Sequence, residues 1–211
     1  MQNKQHRNVR TLVQMAVLIA IMLMLELTGL GMLKIGLLEM TILQFPVIVG
    51  AILMGPAAGA GLGLVFGLIS FWECFGKSTF GVTLLGINPF FTFLVCVPTR
   101  TLMGFLCGLI YRLLHRLLEV GKEHVSQAVR IIPYLVASLS GALLNTLFFM
   151  GVLLALFSNT EYITGLMQKA GTQNMILFTC WFVGVQGLVE ALLCAFLGTV
   201  VSRTVNGVLK N

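Results

Sequence analysis

Three charged side chains lie inside runs of sequence that are otherwise apolar: Glu26, Arg100 and Glu190. In a membrane helix each would cost on the order of 3 kcal/mol near the helix centre, so each is expected to face a partner or a wet cavity. With a rise of ~1.5 Å per residue, a helix entering the membrane at Asn88 carries Arg100 ~18 Å deep. A helix entering at Asn174 carries Gln186 to ~18 Å and Glu190 to ~24 Å. Gln186 and Glu190 are four residues apart and share a face. Asn145, near the middle of another apolar run, is able to join them. Two chemistries fit. Arg100 and Glu190 form a structural ion pair between helices, or Arg100 and Gln186 reach into a cavity where a deep cation selects an anionic ligand. Glu26 lies ~24 Å from a start at Arg10, closer to the far surface, where it can meet loop polar groups or a ligand.

Other chemistries are excluded. The chain has no aspartate. Its three histidines, His6, His115 and His124, all fall in segments assigned to the cytoplasmic side. A buried Ser–His pair or an intramembrane HExxH site is therefore unavailable. No Walker A sequence occurs, so ATP is not hydrolysed by that route. The sequence calls for no enzyme activity, cofactor or metal. Of the five cysteines, Cys96, Cys107, Cys180 and Cys194 sit within apolar helices and read as packing residues. Cys74 falls in a loop and has no evident disulfide partner.

The elements that position these residues follow from composition. The 211 residues are 58% hydrophobic and 9% charged, with a mean hydropathy of +0.99; a soluble domain carries about 25% charged residues. Apolar runs of ~18 residues or more read as membrane helices, and they lack the period-two alternation of a β-barrel. The expected architecture is an all-α integral membrane protein, a single domain over 1–211. Its six transmembrane helices fall at about 10–32, 41–54, 57–71, 88–118, 131–157 and 174–201. The basic start MQNKQHRNVR leads into a run too long for a signal peptide, with no small-residue cleavage site. Inner segments then hold Lys4, Arg7, Arg10, Arg112, Arg116, Lys122, Arg130, Arg203 and Lys210, and outer loops hold Lys34, Lys77 and Lys169. That bias places both termini in the cytoplasm. It accounts for the net charge of +6 without nucleic acid.

Local signals refine the plan. Gly55-Pro56 marks a tight turn between the second and third helices. Asn88 and Pro89 read as N-cap and first helical residue, and Pro98 is expected to kink the helix just before Arg100. Gly55, Gly59, Gly63 and Gly67 form a small-residue ridge, as do Gly104 and Gly108, and Ala16 and Ala20 form another on the first helix. The ridge on the third helix suits packing within the chain. The first-helix ridge suits packing or a partner in the membrane. The outer loop 72–87, with Trp72, Lys77, Thr83 and three glycines, reads as a mobile lid over a cavity, Trp72 being an interfacial anchor by default.

Taken together, the six-helix pattern, the basic N-terminus, Ala16-xxx-Ala20 and the phrase FPVIVGAILMGPAAGAGLGLVFGLIS resemble the substrate-binding S components of energy-coupling-factor (ECF) vitamin transporters. The likeness covers nearly the whole chain. The wording FGKSTFGVTLLGINPFFTFLVCVPTR is most similar to pantothenate-type S components, with riboflavin and folate types as alternatives. The resemblance implies a bacterial plasma-membrane importer. Ala16 and Ala20 would face a transmembrane coupling subunit that works with two ATPase subunits, and the surrounding lipid would let the S component topple. It implies a vitamin site beneath the loops, for which the residues named by depth and loop position are Arg100, Gln186, Asn145, Asn88, Trp72, Thr83 and Glu26. An autonomous ion-coupled carrier using Glu26 or Glu190, or a non-transporting assembly factor, would share the same composition.

Overall fold

In the computed structural model, residues 2–29, 31–35, 38–119, 127–172 and 174–210 are described. The elements in chain order are α1 (Gln2–Leu27), β1 (Met32–Ile35), β2 (Leu38–Thr41), α2 (Gln44–Met54), α3 (Pro56–Glu73), α4 (Thr79–Ile87), α5 (Pro89–Glu119), α6 (Gln127–Phe157), α7 (Glu161–Lys169) and α8 (Met175–Lys210). Among the described residues, α1, α3, α5, α6 and α8 contain stretches long and apolar enough to cross a membrane. The second expected span is instead the short apolar helix α2, 11 residues long. At ~1.5 Å per residue it covers ~16 Å, about half a hydrocarbon core.

Three connections carry more structure than expected. Helix α1 stops at Leu27 and not at 32, because the Thr28 hydroxyl turns back onto the carbonyls of Met24 and Leu25 and Gly29 takes φ +74°. The following segment, expected as a loop, forms the antiparallel β1–β2 pair with Met32 opposite Thr41. The stretch expected as an open loop, 72–87, is mostly helix: α3 runs to Glu73, a turn covers 74–78, and α4 begins at Thr79. Ser78 starts α4, its Oγ accepting the Gly81 N–H at 3.1 Å. Likewise α7 lies within the connection after α6, capped by the Thr160 side chain. The polar connection after α5 falls largely outside the described residues, at 120–126.

Two signals hold as read. Asn88 Oδ1 accepts the N–H groups of Phe90 and Phe91, both at 3.1 Å, and Pro89 opens α5. Gly55 takes φ +96° between α2 and α3, a conformation that L side chains rarely adopt.

The glycine ridge of α3 meets the glycine ridge of α5 backbone to backbone. A Cβ on Gly59 would lie 2.3 Å from the carbonyl oxygen of Gly104, and one on Gly104 would lie 2.1 Å from that of Gly59. A Cβ on Gly63 would lie 2.3 Å from the carbonyl oxygen of Arg100. Only hydrogen fits at these points, and van der Waals contact then replaces the hydrophobic drive that a lipid solvent cannot supply. Buried clusters fill the rest: Ile48, Ala51, Cys107, Tyr111, Tyr134 and Ala137 join α2, α5 and α6. Leu84, Val95, Leu153, Phe157, Ile163 and Phe178 join α4 through α8. Helix α1 contributes one thin face, with Met22 packed among Leu43, Val47, Leu62 and Phe66.

Gly63→Ala should therefore lower stability by ~1–3 kcal/mol, as overpacking of a rigid contact does. Gly151→Ala, where a Cβ meets nothing within 4 Å, should be neutral or mildly stabilising. Thermal unfolding of both variants in the same detergent or lipid reads the difference.

Candidate ligand cavity

Four helices set pairs of residues four apart toward a common space: Ser70 and Cys74 on α3, Cys96 and Arg100 on α5, Thr146 and Met150 on α6, and Val183 and Gly187 on α8. Thr41, Ser78, Phe80, Leu84, Asn145, Phe149 and Glu190 complete the wall. The cavity holds about 120 Å³ open to water-sized molecules. One water needs ~10–15 Å³ on this measure, so the space is far larger than a packing defect.

Arg100 is 8% exposed and dominates the wall. Its three hydrogen bonds all use Nη1, which donates to the carbonyls of Val95 (3.0 Å) and Cys96 (3.3 Å) and to the Thr99 hydroxyl (3.5 Å). The helix runs through Pro98, which supplies no N–H, and the arginine folds back along this stretch of α5. The Thr99 hydroxyl also donates to Val95 O. Phe66 and Phe149 place ring faces 5.2 and 4.9 Å from the guanidinium carbon. Such contacts stabilise a desolvated cation by ~2 kcal/mol or so each, yet they leave Nε without a partner. Glu190 lines the same cavity, but it and Arg100 do not come within ion-pair distance; the ion pair among the described residues with both side chains placed joins Lys77 and Glu26. Of the two arrangements open at the sequence level, the direct Arg100–Glu190 bridge is not formed, and both residues line one space.

The other residues named from the sequence fall as follows. Asn145 lines the cavity beside Thr146. Gln186 lies outside the described side chains. Asn88 spends its Oδ1 on the α5 cap. The Thr83 hydroxyl donates to the Thr79 carbonyl at 3.0 Å within α4. Trp72 is 71% exposed at the end of α3, its ring near Phe75. Glu26 is buried, and Lys77 Nζ donates to its Oε1 at 2.5 Å and to its carbonyl oxygen at 3.3 Å. None of Asn88, Thr83, Trp72 or Glu26 is among the residues that line the cavity. Ala16 and Ala20 are exposed on α1. Cys74, expected to stand alone, has its Sγ 4.0 Å from that of Cys96. Ser70, Cys96, Thr146 and Phe149 were not anticipated, although Cys96 and Phe149 stand four residues from Arg100 and Asn145, and Thr146 is next to Asn145.

A multi-pass helical membrane protein with a walled, charged cavity inside its bundle belongs among proteins that bind a solute within the membrane. The family follows from residues 10–202, which match the model of the ECF transporter, substrate-specific component. The chain belongs to this family. No curated protein sequence matches it significantly.

Lys77 ties the turn after α3 to the end of α1, and its hydrogen bond to Glu26 raises its pKa above the ordinary 10.5. A raised lysine pKa means the tie is fully present below the unfolded value and is lost as pH rises through the folded one. Lys77→Met should accordingly accelerate amide hydrogen exchange over 74–78 at neutral pH. Global stability should change by no more than ~1 kcal/mol, since Lys77 is half exposed.

Proposed function

We propose that the chain is the high-affinity substrate-binding S component of an ATP-driven ECF importer in a bacterial plasma membrane, with pantothenate as its favoured substrate. The observation that carries this reading is Arg100. It is a buried cation on a cavity wall, with two carbonyls and two rings for company and donors still unused. An anionic group entering the cavity completes its coordination, and a carboxylate matches a guanidinium in charge and geometry. Ser70, Ser78, Asn145 and Thr146 supply hydrogen-bonding partners for the hydroxyl and amide groups of such a vitamin. Gln186 belongs to the same site on this reading. Asn88, Trp72, Thr83 and Glu26 act by holding α4 and the neighbouring turn as a lid on the outer face.

Transport then needs other subunits. The exposed Ala16 and Ala20 give α1 a small-residue face that suits a transmembrane coupling subunit, which in turn would work with two ATPase subunits. The N- and C-termini lie in the cytoplasm on this reading, and lipid covers the remaining exposed apolar faces.

Mass spectrometry of the small molecule that co-purifies with the chain should return pantothenate. A different vitamin would keep the class and replace the substrate. Arg100→Ala should weaken pantothenate binding by about 10- to 100-fold, the equivalent of a lost charge-assisted hydrogen bond. Unchanged affinity measured by calorimetry on a folded variant would sink the assignment. Replacing Ala16 and Ala20 together by Trp should abolish co-purification with the coupling subunit.

A further inference from the structure

We propose that Cys74 and Cys96 form a cavity-facing dithiol, a modification site that closes to a disulfide when a small-molecule disulfide enters the cavity. Both side chains are buried at 4% exposure, and both line the cavity wall. Their Sγ atoms are 4.0 Å apart across the contact between the end of α3 and the first half of α5. A disulfide needs ~2.05 Å, so the sulfurs must approach by about 2 Å. Cys74 is the C-cap of α3, and the approach gives up the contact in which its Sγ donates to the Ser70 carbonyl at 3.3 Å. The remaining free cysteines are placed differently. Cys107 and Cys194 are buried and do not line the cavity, and Cys180 is exposed.

The route to the pair is polar. Ser70, Ser78, Arg100, Asn145, Thr146 and Glu190 share the same wall, so water and a small polar reagent reach the thiols through the space that serves the ligand. The exchange balances in two steps. One cysteine thiolate attacks a sulfur of the reagent R–S–S–R and expels RS⁻, giving a mixed disulfide. The second cysteine thiolate attacks the protein sulfur of that mixed disulfide and expels the other RS⁻. The two thiols lose two electrons and two protons, the reagent gains them, and two RSH molecules leave.

Closure has a defined mechanical result. Gly81, in the first turn of α4, packs so closely on Cys74 that a Cβ there would lie 2.7 Å from its Sγ. The Cys96 carbonyl accepts a hydrogen bond from Arg100. A link between the two cysteines therefore fastens the turn after α3, and α4 with it, to the helix segment that holds the arginine. Its effect on ligand exchange rests on the functional reading above; the link itself does not.

The test uses the full chain in lipid nanodiscs, incubated with bis(2-hydroxyethyl) disulfide, alkylated and peptide-mapped by mass spectrometry. The peptides bearing Cys74 and Cys96 should appear joined, lighter by two hydrogens. Cys74→Ser and Cys96→Ser should each leave the remaining cysteine as a mixed disulfide with the reagent's 2-mercaptoethanol half. Single variants that take up the reagent beside wild-type thiols that stay unlinked overturn the proposal, as does a failure of either variant to take it up. Excess pantothenate should slow the closure at least tenfold. A link that forms equally fast with pantothenate present upholds the dithiol and counts against pantothenate as the occupant.

Discussion

The position of every group in the cavity depends on how closely α3 can lie against α5. Their contact is made of peptide backbones, with Gly59 over Gly104 and Gly63 over the Arg100 carbonyl. In water such a contact would add little to a hydrophobic core. In lipid, where apolar side chains gain nothing by leaving solvent for protein, dense backbone packing is a main source of cohesion. The same contact fixes the axial register of α5. Arg100, whose carbonyl lies against Gly63, lines the cavity together with Asn145 and Glu190.

The arginine illustrates how a membrane interior tolerates a charge without neutralising it. Backbone carbonyls of Val95 and Cys96 and the rings of Phe66 and Phe149 stabilise the guanidinium electrostatically, but none carries a formal charge. A direct bridge to Glu190 would have been the simpler structural solution, and it would have consumed the donors. With no direct bridge, both side chains line the cavity and the Arg100 Nε keeps no protein partner. The cost of burial is offset by packing elsewhere in the bundle, and the site stays ready to discriminate by charge.

Much of this was legible in the residues. Chain-wide hydropathy marks the long spans, Gly55-Pro56 marks the turn between α2 and α3, and the spacing of glycines marks the seam. Arg100 stands out because a charge in an apolar run demands an explanation. What escaped notice has physical reasons. Helix α4 is rich in glycine and threonine, so propensity points to a loop; the Ser78 cap and burial of Leu84 decide otherwise. The β1–β2 pair spans four residues a side, too short for a pattern to register. The proximity of Cys74 to Cys96 and the separation of Arg100 from Glu190 are tertiary facts: depth along separate helices constrains height but not azimuth. Loop polarity likewise suggested ligand contacts for Asn88, Thr83 and Glu26; their hydrogen bonds go to the α5 cap, to the Thr79 carbonyl and to Lys77.

The shortness of α2 bears on how the chain is made. Eleven residues cannot by themselves cover a bilayer, and α3 exposes a glycine surface with nothing to close it until α5 is present. As the chain leaves the ribosome, α1 and α3 are each apolar enough to enter the membrane alone, and the short α2 is carried in by the hinged α3. Its partner helix begins at Pro89, sixteen residues after α3 ends at Glu73. The backbone seam between α3 and α5 can therefore close only after that intervening stretch has been made and α5 has followed α3 into the membrane.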